Sequence, residues 1–150
     1  MSDLREIYQQ IILDHYRKPR NFHELDGASH HAGGHNPLCG DRVEIYLDVA
    51  DDGTIRDVGF KGAGCAISTA SASLMTEAIK GKPVAEAKAL FEQFHHMLTD
   101  KESDIPEELG KLEALAGVRQ LPVRIKCATL AWHTLQSALA NQLDQTVTTE

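Results

Sequence analysis

Three cysteines and one aspartate are the residues of this chain whose types and placement could form a reactive centre. They lie in three short motifs: Asn36-Pro37-Leu38-Cys39-Gly40-Asp41, a glycine-rich stretch around Cys65, and Arg124-Ile125-Lys126-Cys127-Ala128. Three thiolates and one carboxylate oxygen make a four-ligand tetrahedral set that zinc accepts. Closed structural zinc sites favour cysteine and histidine, so an aspartate indicates a weaker, exchangeable fourth ligand.

Each cysteine falls at a predicted element boundary. Cys39 and Asp41 lead into a strand, and their spacing of two predicts that both side chains point to its buried face. Cys65 and Cys127 are each predicted to open a helix, where free N–H groups and the helix dipole stabilise a thiolate. Taken singly, each cysteine fits equally well as an inert buried residue. The spacing is also a weaker signal than a paired Cys-x-x-Cys motif, so it leaves both interpretations open.

The bulk properties narrow the class of protein. The chain has 150 residues, of which 42% are apolar and 25% charged, as expected for one globular domain spanning residues 1–150. A formal charge of −7 argues against nucleic-acid binding. The sequence carries neither a membrane-spanning apolar run nor a secretory signal pattern, which predicts a cytoplasmic protein without membrane association. With three cysteines in all, a disulfide framework is not expected.

The hydrophobic pattern predicts an α+β fold. An amphipathic helix runs to about Tyr16, and a long surface loop with at most one short extended segment follows over Asn21–Leu38. Alternating apolar residues predict a hairpin over Val43–Lys61. Two helices follow, then a short helix from about Glu107, and the last helix opens at Pro122 and runs to about Gln142. The expected architecture is a small antiparallel sheet of two to three strands, covered by several helices on one face.

The three cysteine motifs resemble those of the IscU/NifU family of iron–sulfur cluster assembly proteins. The resemblance extends from Tyr8 to about Leu139 and implies an IscU/NifU-like fold. Scaffold members of the family build a [2Fe–2S] cluster on three cysteines; they carry a histidine before the third cysteine and a Leu-Pro-Pro-Val-Lys motif upstream. Here Lys126 takes the place of that histidine, Leu121-Pro122-Val123-Arg124 matches the motif only in part, and the interval from Cys65 to Cys127 is longer.

These departures point to the SufU-like branch. That resemblance implies a zinc-binding sulfurtransferase that accepts persulfide from a SufS-type cysteine desulfurase. It also implies Cys39, Asp41, Cys65 and Cys127 as the zinc ligands. The alternatives are a scaffold that carries an iron–sulfur cluster on the same residues, and a protein with a structural zinc and an interaction role.

Two catalytic roles are expected at this centre. By resemblance, Arg124 takes over a ligand position when the partner docks, although a solvated arginine at a helix start is the simpler explanation of its position. We expect Cys39 to accept the sulfur, because it follows the long loop and precedes a flexible glycine. Scaffold members favour the third cysteine instead, which is Cys127 here.

The histidines give weaker signals. His30, His31 and His35 lie in the predicted loop, where histidines are mostly solvated. His95 and His96 are adjacent, so they face different sides of a helix and cannot both serve one site. His133 is predicted to be a surface residue, and Trp132 is predicted to be a packing anchor.

Overall fold

The computed structural model describes residues 2–100, 102, 104–140 and 146–148, with side chains from residue 5 to residue 140 in those ranges. The elements in chain order are α1 (Ser2–Arg17), β1 (His30–Asn36), β2 (Asp41–Val49), β3 (Ile55–Ala63), α2 (Ala66–Ile79), α3 (Val84–Thr99), a 3₁₀ segment (Glu107–Gln120), α4 (Pro122–Leu139) and β4 (Thr146–Thr148). The 3₁₀ segment is broken at Gly110, whose φ is 53°. No described helix is long and apolar enough to cross a membrane.

The strands form one sheet in the order β3-β2-β1-β4. Strands β1, β2 and β3 pair antiparallel, which confirms the predicted α+β class and the small antiparallel sheet. Strand β4 adds a short parallel pairing to β1 that the sequence did not predict. The predicted loop over Asn21–Leu38 also needs correction, because its second half is the seven-residue strand β1.

Strand β1 packs unusually close to helix α4. A Cβ placed on Gly34 would lie 2.0 Å from the Thr134 Oγ1 atom and 3.1 Å from a Leu130 methyl carbon. Only glycine therefore fits at this position without a shift of the Thr134 and Leu130 side chains. Gly34, one of the glycines that suggested a loop, is instead the residue that lets the strand approach α4.

The buried face of the sheet carries the predicted alternation. Val43, Ile45 and Leu47 are buried and join the main apolar core with residues of α2, α3 and α4. Trp132 is fully buried in α4, and its ring stacks on Phe94 with centroids 4.7 Å apart. Its predicted role as a packing anchor is confirmed, and α4 is tied firmly to the core.

Helix α4 corrects one expectation about the site. It begins at Pro122, so Cys127 lies in its second turn and not at its first residue. The free N–H groups of the helix start therefore do not reach the Cys127 sulfur, which instead lies near the Val123 carbonyl oxygen at 3.9 Å. The N-terminal placement holds for Cys65, which is the N-cap of α2.

Candidate metal centre

Cys39 lies in the tight turn between β1 and β2, not at the end of a long loop. Asn36 and Asp41 are the last paired residues of the hairpin, so the turn is Pro37–Gly40. Gly40 has a φ of 73°, and its N–H donates to the Asn36 carbonyl oxygen at 2.8 Å. The left-handed conformation at Gly40 favours glycine and lets the chain reverse directly after the cysteine.

Three of the four predicted ligand residues converge closely. One ligand atom from each of Cys39, Asp41 and Cys127 lies within 4.8 Å of the other two. The two sulfurs are 3.2 Å apart, and both cysteines are free thiols. Residues distant in sequence are thus brought together by the β1–β2 turn and by α4.

Cys65 joins this group through Asp41. The Cys65 N–H donates to Asp41 Oδ1 at 2.9 Å, and its sulfur lies 4.0 Å from Asp41 Oδ2. The same sulfur accepts the Ser68 N–H at 3.4 Å, as expected for a helix N-cap. The structure therefore groups Cys39, Asp41 and Cys127 and places the Cys65 sulfur beside Asp41, outside that group of three.

Gly64 provides the room for this arrangement. A Cβ at Gly64 would lie 2.6 Å from Asp41 Oδ1 and 3.1 Å from Asp41 Cγ. Because Asp41 is fully buried, its carboxylate cannot easily move away from such a group. The glycine before Cys65 is therefore a requirement of the carboxylate position.

Asn36 is a member of the site that sequence reasoning did not assign. Its side chain is fully buried, and its amide nitrogen lies 3.4 Å from both Asp41 Oδ2 and the Cys127 sulfur. Its side-chain oxygen accepts the Leu38 N–H at 3.3 Å. One amide thus connects the turn, the carboxylate and α4. Its place at the start of the first motif was the signal that could have drawn attention to it.

The electrostatic surroundings favour a cation. Burial raises the pKa of the Cys127 thiol well above its ordinary value, and hydrogen bonds with Cys39 and Asp41 act in the same direction. Arg124 is exposed, and its pKa is raised by a hydrogen bond with Cys127 and by the charges of Cys65 and Cys39. Two sulfurs and a carboxylate at this spacing, with a third sulfur beside them, repel one another when ionised. The donor set therefore fits a divalent ion that accepts sulfur and oxygen, such as zinc.

The three cysteines differ in access. Cys127 is fully buried, whereas Cys39 and Cys65 are partly exposed. Three exposed apolar side chains lie near Cys39 and Cys127 in the sequence: Leu38 in the turn, with 61% of its surface accessible, Leu121 with 54% and Val123 with 56%. The segment before Cys127 is thus the first turn of α4, preceded by Leu121, and its apolar side chains face solvent.

Among the described residues, no histidine belongs to the group formed by Cys39, Asp41 and Cys127. His30 contacts Ser29, and His31 stacks on Tyr46 with ring centroids 4.6 Å apart. His133 is half-buried against Phe91, which corrects its predicted surface position. Within the described residues, the group of cysteines and aspartate is the one cluster whose ligand atoms lie close enough to share an ion.

Comparison with known proteins agrees with the motif analysis. The sequence profile of the NifU-like N-terminal domain matches residues 7–149. The chain belongs to this family. It is 43% identical over 141 residues to the zinc-dependent sulfurtransferase SufU of Bacillus subtilis (strain 168), covering 94% of this chain and 95% of that one. The SufU-like resemblance predicted from the motifs is thereby confirmed.

Other relatives in this NifU-like family carry a different description. The chain is 42% identical over 139 residues to the iron–sulfur cluster assembly scaffold protein IscU of Streptococcus pyogenes serotype M1, covering 93% of this chain and 86% of that one. A solved structure of a candidate SUF-system scaffold protein from Fervidobacterium islandicum has a TM-score of 0.80 and 34% identity, covering 87% and 94% of the two chains. Identity alone therefore separates the two named activities poorly.

Proposed function

We propose that this protein is a zinc-dependent sulfurtransferase that accepts persulfide sulfur from a SufS-type cysteine desulfurase during iron–sulfur cluster assembly. The observation that carries the proposal is the pairing of two unlike thiols. Partly exposed Cys39 sits on a tight turn, 3.2 Å from the fully buried sulfur of Cys127. The similarity to the Bacillus subtilis zinc-dependent sulfurtransferase supports the same assignment.

Cys39, Asp41, Cys65 and Cys127 are the residues that would hold the zinc ion. Bound there, zinc would keep thiols deprotonated at neutral pH and would raise the stability of the folded chain. The protein's own part is to bring the four groups together. Asn36 and the Cys65 N–H hold the Asp41 carboxylate, and α4 holds the Cys127 sulfur.

Cys39 is the sulfur acceptor in this proposal. Its thiolate attacks the outer sulfur of the partner's persulfide, and a new sulfur–sulfur bond forms on Cys39 as the partner's bond breaks. The partner's cysteine leaves as a thiolate, so the exchange needs neither oxidant nor reductant. Arg124 places a permanent positive charge beside Cys127 and close to Cys39, where it offsets the negative charge of the remaining sulfurs when the turn moves.

The partner is expected to dock over the exposed apolar side chains beside the thiols. Leu38 is next to Cys39, and Val123 is next to Arg124. Exposed apolar groups at a reactive site commonly mark a contact with another protein. This surface would bring the partner's persulfide to the accessible cysteine and exclude water from it.

Mass spectrometry after incubation with a cysteine desulfurase and cysteine tests the acceptor. We expect persulfide on Cys39 in the wild type and none in Cys39→Ser, with zinc content measured so that metal loss is not mistaken for acceptor loss. Arg124→Ala should slow the transfer several-fold, whereas Arg56→Ala, an exposed arginine of β3 paired with Asp48, should not. Persulfide on Cys127 in zinc-replete protein would overturn the assignment of Cys39.

The second candidate function is a scaffold for an iron–sulfur cluster. It is favoured by the 42% identity to the Streptococcus pyogenes relative of that name. The same three cysteines would then hold iron, whose clusters are bound by thiolates. Metal analysis of protein purified without oxygen separates the two functions. Zinc without visible absorption supports sulfur transfer, and iron with acid-labile sulfide supports the scaffold.

A further inference from the structure

A surface groove of about 810 Å³ runs between helix α1 and the 3₁₀ segment. Its walls are mostly apolar, with Ile12 on the α1 side and Ala116, Val118 and Leu121 on the other. Among the described residues that line it, the charged ones are two arginines, Arg5 on α1 and Arg119 near the end of the 3₁₀ segment. The groove therefore combines apolar surface with positive charge and contains no acidic side chain of its own.

Arg119 has no partner for its guanidinium among the described residues. Its Nη1 atom is buried and forms no hydrogen bond, and no described carboxylate forms an ion pair with it. By contrast, Arg20 pairs with Asp14 at 2.6 Å, and Arg56 pairs with Asp48 at 3.0 Å. A buried charged donor without an acceptor is unfavourable, so the Arg119 guanidinium is available to bind an anion.

The protein's own acidic groups leave this position open. Glu113, which lies in the same 3₁₀ segment, accepts a hydrogen bond from the Tyr8 hydroxyl instead. The chain as a whole carries a formal charge of −7, so two arginines without an acidic neighbour in one groove are a local exception. The planar fork of an arginine binds a carboxylate through two parallel hydrogen bonds. The groove therefore fits a carboxylate that is attached to an apolar group.

One end of the groove adjoins the start of α4. Leu121 lines the groove, is exposed, and directly precedes the helix that carries Cys127. Val123, two residues further on, is also exposed. A partner that docks over Val123 to reach Cys39 would therefore meet the groove through Leu121.

We propose that the groove receives a segment of the cysteine desulfurase in which a carboxylate side chain is next to an apolar one. This inference rests on the proposed function, which supplies the partner. Arg119 binds the carboxylate, and the apolar side chain packs against Ile12 and Val118. Arg5 is exposed, so it adds a weaker attraction. The contact strengthens docking but takes no part in the sulfur exchange.

Binding titrations of the zinc-loaded protein with a cysteine desulfurase test the groove. We expect Arg119→Gln to weaken the affinity about tenfold. The affinity of this variant should also depend less on salt concentration, because a charge pair is lost. The rate of sulfur transfer at saturating partner should be unchanged. Arg56→Gln is the matched control, since it removes an arginine outside the groove, and it should bind as the wild type does.

Gly117→Phe tests the apolar part of the groove without removing any side chain. Gly117 lines the groove, and a Cβ placed on it would meet no atom within 4 Å. The added ring has room to occupy the groove, so the affinity for the desulfurase should again fall about tenfold. If Arg119→Gln melts well below the wild type, Gly117→Phe decides the outcome.

A photo-reactive side chain in place of Gln120, an exposed residue that lines the groove, locates the partner segment. Mass spectrometry of the cross-linked peptide should identify a desulfurase segment with aspartate or glutamate beside an apolar residue. A cross-linked segment without an acidic residue would overturn the role of Arg119.

Three other results would overturn the proposal. Wild-type affinity in both Arg119→Gln and Gly117→Phe would exclude the groove from docking, while persulfide on Cys39 in the same samples would leave the proposed function intact. Failure of the wild-type protein to bind the desulfurase would overturn both. A dimer in analytical ultracentrifugation that Gly117→Phe disrupts would show that a second copy of this chain occupies the groove.

Discussion

The turn Pro37–Gly40 and helix α4 supply sulfur atoms to the same site but differ in solvent exposure and in packing against the core. The turn carries Leu38, with 61% of its surface exposed, and reverses at a glycine of positive φ. Helix α4 carries Cys127, Leu130 and Trp132, none of which has accessible surface. The two sulfurs are nevertheless 3.2 Å apart.

This difference separates two tasks. Moving Cys39 disturbs a four-residue turn, whereas moving Cys127 would pull a packed helix out of the core. A thiol that must reach a partner is therefore better placed on the turn. A thiol that must fix the position of the others is better placed on α4. Substitutions on the helix, at Asn36 between the two regions, and on the turn test this difference.

The largest effect is expected on the helix side. Trp132→Ala removes a ring that stacks on Phe94 and donates a hydrogen bond to Ser71 Oγ at 3.2 Å. Truncation of such a buried aromatic lowers the free energy of unfolding by about 3–5 kcal/mol. Urea unfolding of the zinc-loaded protein measures this value. A loss below about 1 kcal/mol would show that α4 is not the rigid side of the site.

An intermediate effect is expected for the residue that connects the two regions. Asn36→Ala removes the amide shared by Asp41 and Cys127 and leaves buried acceptors without a donor, which costs about 1–3 kcal/mol. Cobalt-substituted protein should also show a shifted thiolate-to-cobalt absorption band. An unchanged band together with unchanged stability would show that the turn and the helix are not coupled through Asn36.

The smallest effect on stability is expected at the turn. Leu38→Ser changes an exposed side chain, so the free energy of unfolding should stay within about 0.5 kcal/mol of wild type. Under the proposed function, its affinity for the desulfurase should fall several-fold in a binding titration. Ile7→Ser is the matched control, because Ile7 is 54% exposed on α1 and lies outside the cysteine motifs. An equal loss of affinity for the desulfurase in both variants would show that the turn has no special role in docking.

The parts of the fold with a strong period were predictable from the sequence. The alternation of Val43, Ile45 and Leu47 correctly indicated the buried face of β2. The glycines before Cys65 correctly indicated the start of α2, which begins directly after that cysteine. These features depend on local sequence, so local reasoning finds them. The four candidate ligands followed from residue type and from resemblance. The structure groups three of them, Cys39, Asp41 and Cys127, and places Cys65 beside Asp41.

The features that were missed depend on tertiary contacts. Strand β1 has no apolar alternation that would predict a strand. One of its inward positions is Gly34, because the close approach of Thr134 leaves no room for a larger side chain. The role of Asn36 depends on two partners, one of them on α4. The position of Cys127 in its helix follows from Pro122, whose start signal was recognised but was not applied to the thiol. These contacts join residues that are distant in the sequence, so they cannot be inferred from residue spacing or composition.

The close packing of Gly34 against Thr134 has a consequence for the order of events during biosynthesis. Strand β1 emerges early from the ribosome, but its site-forming face is completed only when α4 has been made and has docked on it. A nascent chain therefore offers Cys39, Asp41 and Cys65 without the fourth donor. Under the proposed function, metal loading at the complete centre must therefore wait until α4 has been synthesised and has docked on β1.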